Sequence, residues 1–170
     1  MKKWSAAYFT ASLAIVLITC SKADATPEQE IINENLNANG KVQISEKEME
    51  HELLELINTH RASIGTNVLL PSSETYPFAE DHNTYMIAQN KLSHDHFDSR
   101  AAAIVARTDA SKIGENIARH YSSAQQALDG WMQSESHKTT LEENYTHSAL
   151  SVVLDKEGRP YFTQIFLLVE

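Results

Sequence analysis

A layered α+β domain is the fold class this sequence predicts, and three observations predict it. Apolar residues recur at helical spacing through the segments that follow residue 45, and each segment opens or closes on a capping or breaking residue. The pattern then changes: 149–154 and 161–169 are dominated by β-branched and aromatic residues, with Asp155-Lys156-Glu157-Gly158-Arg159-Pro160 as turn chemistry between them. Finally, 42% apolar residues in a chain of 170 suffice for one packed core.

The elements follow in order. Ser45 and Glu48 form a capping-box signature, and Met49, Leu53, Leu56, Ile57 and Ile64 carry a first helix up to Gly65. A loop with Pro71 and Pro77 precedes a second helix, marked by Phe78, Ala79, His82, Tyr85, Met86 and Gln89 and ending near Leu92. Asp98 is the expected cap of a third helix, Ser99 to Arg107. Ser122 or Ser123 caps a fourth, through Ala124, Ala127, Leu128 and Trp131, with Trp131 read as core. The terminal hairpin is not stable as a two-stranded ribbon, so a third strand is required, and Ile113 to Ala118 is its candidate. Residues 45–170 contain no internal repeat.

The N-terminal part reads differently. Lys2 and Lys3, the apolar run Ala11 to Ile18 and then Cys20 predict a signal peptide over residues 1–19, too short and too interrupted to span a membrane comfortably. Trp4 leaves with it. The only cysteine falls where the apolar run stops, which resembles a bacterial lipobox and makes Cys20 the expected lipid attachment point; Thr19 departs from the usual Gly, Ala or Ser. Residues 20–44, polar and poor in large apolar side chains, are the expected tether. Cleavage leaves 12 Lys+Arg against 23 Asp+Glu, so the net charge falls from -9 to -11. Phosphate is repelled by such a chain, which excludes nucleic acid as a partner. One cysteine also excludes an intrachain disulfide framework and a Cys-rich zinc module.

Eight histidines are many for this length. They stand in suggestive contexts: Ser93-His94-Asp95-His96, Ser134-Glu135-Ser136-His137 and Thr146-His147, with Gly114-Glu115-Asn116 between them. Neutral imidazole is a common zinc ligand, and two histidines with carboxylates or water fill a tetrahedral shell without thiolate. The spacing has no His-Glu-x-x-His motif, and solvated loop histidines are the competing reading. The serines beside these histidines lie in no nucleophile elbow. No phosphate-cradling glycine loop is present, and Gly114 reads as an isolated turn residue.

Taken together, Leu56-Ile57-Asn58-Thr59-His60-Arg61-Ala62-Ser63, Leu92-Ser93-His94, Gly114-Glu115-Asn116-Ile117-Ala118, Trp131-Met132-Gln133-Ser134 with His137, and Tyr161-Phe162-Thr163-Gln164-Ile165-Phe166 occur in one fixed order. That order resembles the bacterial branch of the CAP superfamily (cysteine-rich secretory proteins, antigen 5 and pathogenesis-related proteins, the SCP-like domains) over about residues 47–169. The resemblance implies an α-β-α sandwich, a small antiparallel sheet between helices, with a cleft of two histidines and two acidic residues that binds zinc or another divalent cation in some members. Matched by position, His94, Glu115 and His137 are the implied metal residues, and Glu135 the less secure fourth. The glycine pair usual at the start of the penultimate strand is replaced by Ala149 and Ser151, which implies a differently shaped cleft edge.

The expected function is that of an envelope-tethered, lipid-anchored CAP protein, periplasmic or cell-surface, whose His/Glu cleft binds a divalent metal and a lipid or envelope ligand. The alternatives are a metal-dependent hydrolase of peptide or ester bonds with Glu115 as general base, and a structural or interaction module without metal. Whether His60, His96 and His147 join the cleft is open at this level.

Overall fold

The computed structural model describes residues 45–170. The signal peptide, Cys20 and the tether lie outside the described residues. Five helices and four strands follow one another: α1 (Glu46–Ser63), β1 (Leu70–Pro71), α2 (Tyr76–Gln89), α3 (Phe97–Thr108), β2 (Lys112–Arg119), α4 (Ala124–Gln133), α5 (Glu135–Glu142), β3 (His147–Leu154) and β4 (Pro160–Leu168). The strands form one sheet in the order β1-β3-β4-β2. β4 lies between β3 and β2 and runs antiparallel to both, whereas the two-residue β1 joins the far edge of β3 in parallel. The architecture is α+β with helices on both faces of a small sheet, as expected, and the sheet is mixed rather than purely antiparallel.

Alternation along the strands assigns the faces. Ala118, Leu150, Val152, Phe162 and Phe166 meet Leu53 and Ile57 of α1, Leu128 and Trp131 of α4, and Leu141 of α5 in the main core. Trp131 also donates its indole N–H to the Ile117 carbonyl, 3.0 Å away, which satisfies the one polar atom of the largest core side chain. On the opposite face Ala79 of α2 and Ile104 of α3 pack on Ile165 and Leu167, and Met86 packs on Ile117 and Tyr161.

The capping box at Ser45 is formed: the Ser45 side chain accepts from the Glu48 N–H and the Glu48 carboxylate from the Ser45 N–H. Ser123 caps α4 by accepting from the Gln126 N–H. α2 begins two residues earlier than Phe78, with Pro77 in its first turn, and stops before Leu92 because Asn90 takes a left-handed conformation. α3 begins at Phe97, so Asp98 lies inside its first turn and is not its cap; His96, at φ 62°, stands there instead. The carboxylate of Asp98 is still placed favourably near the positive end of the helix. Neither β1 nor α5 is among the elements expected from the sequence.

Gly114 lies within β2 and is not a turn residue. A Cβ there would stand 2.5 Å from the Tyr145 hydroxyl oxygen and 3.0 Å from its Cζ. Close approach of that ring, rather than backbone freedom, is what requires glycine just before Glu115.

Candidate functional site

Glu115 is the second consecutive residue of β2 to be buried, and its odd register turns it toward the α2/α3 layer. Its side chain is 1% exposed. Three elements converge on it. From the loop between α2 and α3, His94 Nδ1 lies 2.8 Å from Oε1. From α3, Arg100 donates Nη2 (2.6 Å) and Nε (2.9 Å) to Oε2 and Nη1 to the Asp95 carbonyl (3.2 Å). From α2, buried His82 brings Nε2 to 3.9 Å from Oε1 while it donates to the Ser93 carbonyl at 2.9 Å.

Electrostatics follow from this arrangement. Burial alone would raise the Glu115 carboxyl, but the His94 hydrogen bond and the Arg100 and His82 fields outweigh it and hold the group below its ordinary value. Glu115 is therefore a carboxylate that only accepts, so His94 donates through Nδ1. In neutral His94 the other nitrogen, Nε2, then keeps its lone pair, on a side chain that is half exposed. Burial drives the His82 imidazole below its ordinary value, with the Glu115 charge opposing. The ring stays neutral and donates to Ser93.

The loop that carries His94 is fixed at both sides. Tyr85 donates its hydroxyl to Asp95 (3.1 Å), and its ring lies parallel to His82 (6.0 Å between centroids) and edge-on to His96 (5.4 Å). His96 lines a cavity of about 290 Å³ with Phe78, His82, Tyr85, Ser99 and Arg100, behind the carboxylate.

His137 is on α5, half-buried. Its backbone carbonyl accepts from the Asn116 side chain at 3.0 Å, so the residue next to Glu115 on β2 holds α5 in place. Burial, and then the neighbouring His94, push the His137 imidazole below its ordinary value. Glu135 begins α5 and is exposed. Among the described residues no group of three or more His, Cys, Asp or Glu side chains is arranged to hold a metal ion. The set His94, Glu115, His137 and Glu135 is thus not a preformed four-residue cage, and both Glu115 oxygens are already engaged.

Of the histidines left open by the sequence, His96 reaches the back of the site. His60 pairs with Glu142 (2.8 Å) between α1 and α5, and His147 bonds Thr146 (2.9 Å) at the start of β3. His82 and Arg100 lie outside the site residues that the sequence indicates. His82 gives one signal, a titratable residue on the apolar side of a helix, and that signal reads equally well as part of the packed face.

Residues 54–166 match the cysteine-rich secretory protein family, CAP. The chain belongs to the CAP family. Among solved structures, this CAP domain is similar to an outer surface protein of Borrelia burgdorferi (TM-score 0.67, 17% identity, covering 75% of this chain and 97% of that one). It is also similar to an SCP-domain extracellular protein of Bacillus anthracis (TM-score 0.61, 24% identity, 86% and 45% covered) and to a cysteine-rich secretory protein of Staphylococcus aureus (TM-score 0.62, 17% identity, 78% and 44% covered). These likenesses show the fold. In sequence it is 32% identical over 124 residues to the uncharacterized membrane protein YlbC of Bacillus subtilis, over 69% of this chain and 34% of that protein. The chain therefore spans about a third of that relative's length. No helix among the described residues is long and apolar enough to cross a membrane.

Proposed function

We propose that this CAP domain works outside the cytoplasm, at the bacterial envelope, as a binding module whose cleft offers His94 and His137 to a divalent cation. The observation that carries the reading is the 2.8 Å contact of His94 with Glu115, whose charge is in turn fixed by Arg100. A carboxylate on one imidazole nitrogen sets the tautomer and raises the basicity of the other, which is how ligating histidines are commonly oriented. The neutral state of His137 favours the same role.

His94 and His137, near enough for His94 to depress the His137 imidazole, would hold the cation, with water or a bound lipid or envelope component completing the shell. The donor set does not fit a cage in which Glu115 ligates, because that would strip Arg100 of its counter-charge. A bound zinc would act as a Lewis acid toward a ligand oxygen. Glu115, Arg100 and His82 orient His94 and keep its loop in register. The names of relatives, a membrane protein and outer-surface or extracellular proteins, support the location, and lipid attachment at Cys20 is the proposed anchor.

A second reading is favoured by the carboxylate-imidazole pair itself. Should the cleft hydrolyse a peptide or ester, the proton acceptor is His94 Nε2, oriented by Glu115, rather than Glu115 as general base. Zinc titration by calorimetry separates the readings. The wild-type chain is expected to take one equivalent, His94→Ala with His137→Ala to take none, and Glu115→Gln to bind about 10–100-fold more weakly. Unchanged binding in the double variant, or none in the wild type at millimolar zinc, would overturn the cation reading; ester or peptide turnover lost in His94→Ala would establish the second.

A further inference from the structure

Two neighbouring residues of β2 reach the two histidines of the cleft from opposite faces of the sheet, because consecutive side chains of a strand alternate. Glu115 turns to the α2/α3 face and takes the His94 hydrogen bond there. Asn116 turns the other way, to the face on which Gly114 meets Tyr145 and Thr140 and Ala118 joins the main core. Its amide Nδ2 donates to the His137 carbonyl at 3.0 Å. The strand between these two bonds is held along its whole length, since all eight residues from Lys112 to Arg119 pair in register with β4.

Stability alone explains the Asn116 amide poorly. A carbonyl inside a helix finds its regular partner four residues on, so the His137 carbonyl does not depend on Asn116. Asn116 is 0% exposed, and the carbonyl it serves fixes which way its amide faces. Its Oδ1 is then left buried without a hydrogen bond among the described residues. An orphaned buried oxygen costs stability, and an apolar side chain of the same size would avoid that cost. The tethers of α5 show what the amide adds. Its C-terminal half is tied to α1, by Arg61 donating to the Leu141 carbonyl (2.6 Å) and by His60 pairing with Glu142 (2.8 Å). Over residues 135–139, which include His137, the Asn116 bond is the only hydrogen bond to another element among the described residues.

We propose, on the cation reading of the cleft, that Asn116 is the positioning residue for His137, and that Glu115 and Asn116 together make one rigid strand the gauge that sets His137 against His94. Glu115 sets the His94 ring directly, through its side chain. Asn116 sets the backbone from which the His137 ring projects. Without the amide, α5 stays docked on α1 through its C-terminal half, while its first turn is free to shift. Two ligands carried by separate elements then lose their common reference. A residue that orients ligands without touching the ion acts in this way, through the geometry it imposes.

The test compares the full chain with Asn116→Leu, and with Asn116→Ala should leucine not fold. In the metal-free proteins the ring Cε1–Hε1 resonances of His94 and His137 are followed by NMR. Loss of the amide is expected to move or broaden the His137 resonance and to leave that of His94 in place, and the urea midpoint of Asn116→Leu should be no lower than the wild type's. Titration with zinc alone should then show binding at least about tenfold weaker than in the wild type. The proposal is overturned if the His137 resonance stays in place in the variants, or if zinc binds them within about twofold of the wild type. It is overturned as well if both rings shift while the urea midpoint of Asn116→Leu falls, the mark of a residue that only supports the fold. A wild-type chain that takes up no zinc defeats the cation reading alone, and the two resonances then decide the positioning role by themselves.

Discussion

Two buried charges, Glu115 and Arg61, are satisfied in opposite ways, and the contrast separates the candidate site from its scaffold. Arg61, at the end of α1, is 0% exposed and has no carboxylate partner among its bonds. It donates instead to backbone carbonyls of Asn67 (2.8 Å), Leu141 (2.6 Å), Glu143 (2.9 Å) and Tyr145 (3.1 Å). Those carbonyls belong to the ends of two loops and of α5, so one guanidinium closes three chain segments with fixed dipoles. Glu115 is held by one charge, Arg100, and by the imidazole of His94, whose side chain is half exposed. A buried charge on rigid carbonyls is finished structurally. A buried charge that polarises a half-exposed imidazole carries its influence to the surface.

Breaking the scaffold should have the largest effect. Arg61→Met leaves several buried carbonyls without donors, at about 1–3 kcal/mol each, so a loss of about 3 kcal/mol or more is expected in urea unfolding. A loss below about 1 kcal/mol would mean that water replaces the guanidinium and the two regions do not differ as argued.

Glu115→Gln should cost less, about 1.5–3 kcal/mol at neutral pH, because the amide keeps the shape and Arg100, which reaches solvent in part, loses its charged hydrogen-bond acceptor. It also sharpens the comparison through pH. The folded carboxyl titrates below its unfolded value of 4.5, so its stabilisation is complete above that pH and disappears as the pH falls through the lower folded value. Urea midpoints from pH 6 to pH 3 should therefore fall more steeply in the wild type than in Glu115→Gln.

The smallest effect belongs to His82. Its folded value lies below 6.5, so on acidification the unfolded chain takes a proton that the folded chain refuses. Stability should fall as the pH drops below 6.5 toward the lower folded value, by at most about 1.4 kcal/mol per pH unit from this group. His137 adds to the same limb. In His82→Gln the slope between pH 7 and pH 5 should be shallower; an unchanged slope would place the titration elsewhere.

Legibility in the sequence tracked how local the cause was. The capping box at Ser45 and the turn before Pro160 depend on neighbours a few residues apart, and both formed where expected. The third strand, expected at Ile113 to Ala118, is Lys112–Arg119 and pairs with β4. Asp98 misled because its preference for a cap was overridden by His96 and the pinned loop before it. β1 escaped notice because two residues carry no period, and its pairing with β3 is a contact across the chain. Glu115 and His94 were visible as motif residues. Arg100 was not, since an arginine in a helix ordinarily faces water and nothing local says that a carboxylate waits on the adjacent strand.

By itself the sequence determined which segments are the longer helices and strands, that the chain has apolar residues enough for a core, and that its net charge repels phosphate, because periodicity, capping and charge are local or additive properties. Only the tertiary structure decided that Arg100 and His94 converge on Glu115, and that Gly114 answers to the Tyr145 ring. Each of these depends on which distant side chain or strand arrives within a few ångströms, and burial then fixes whether a charge must be neutralised, shared or left to solvent.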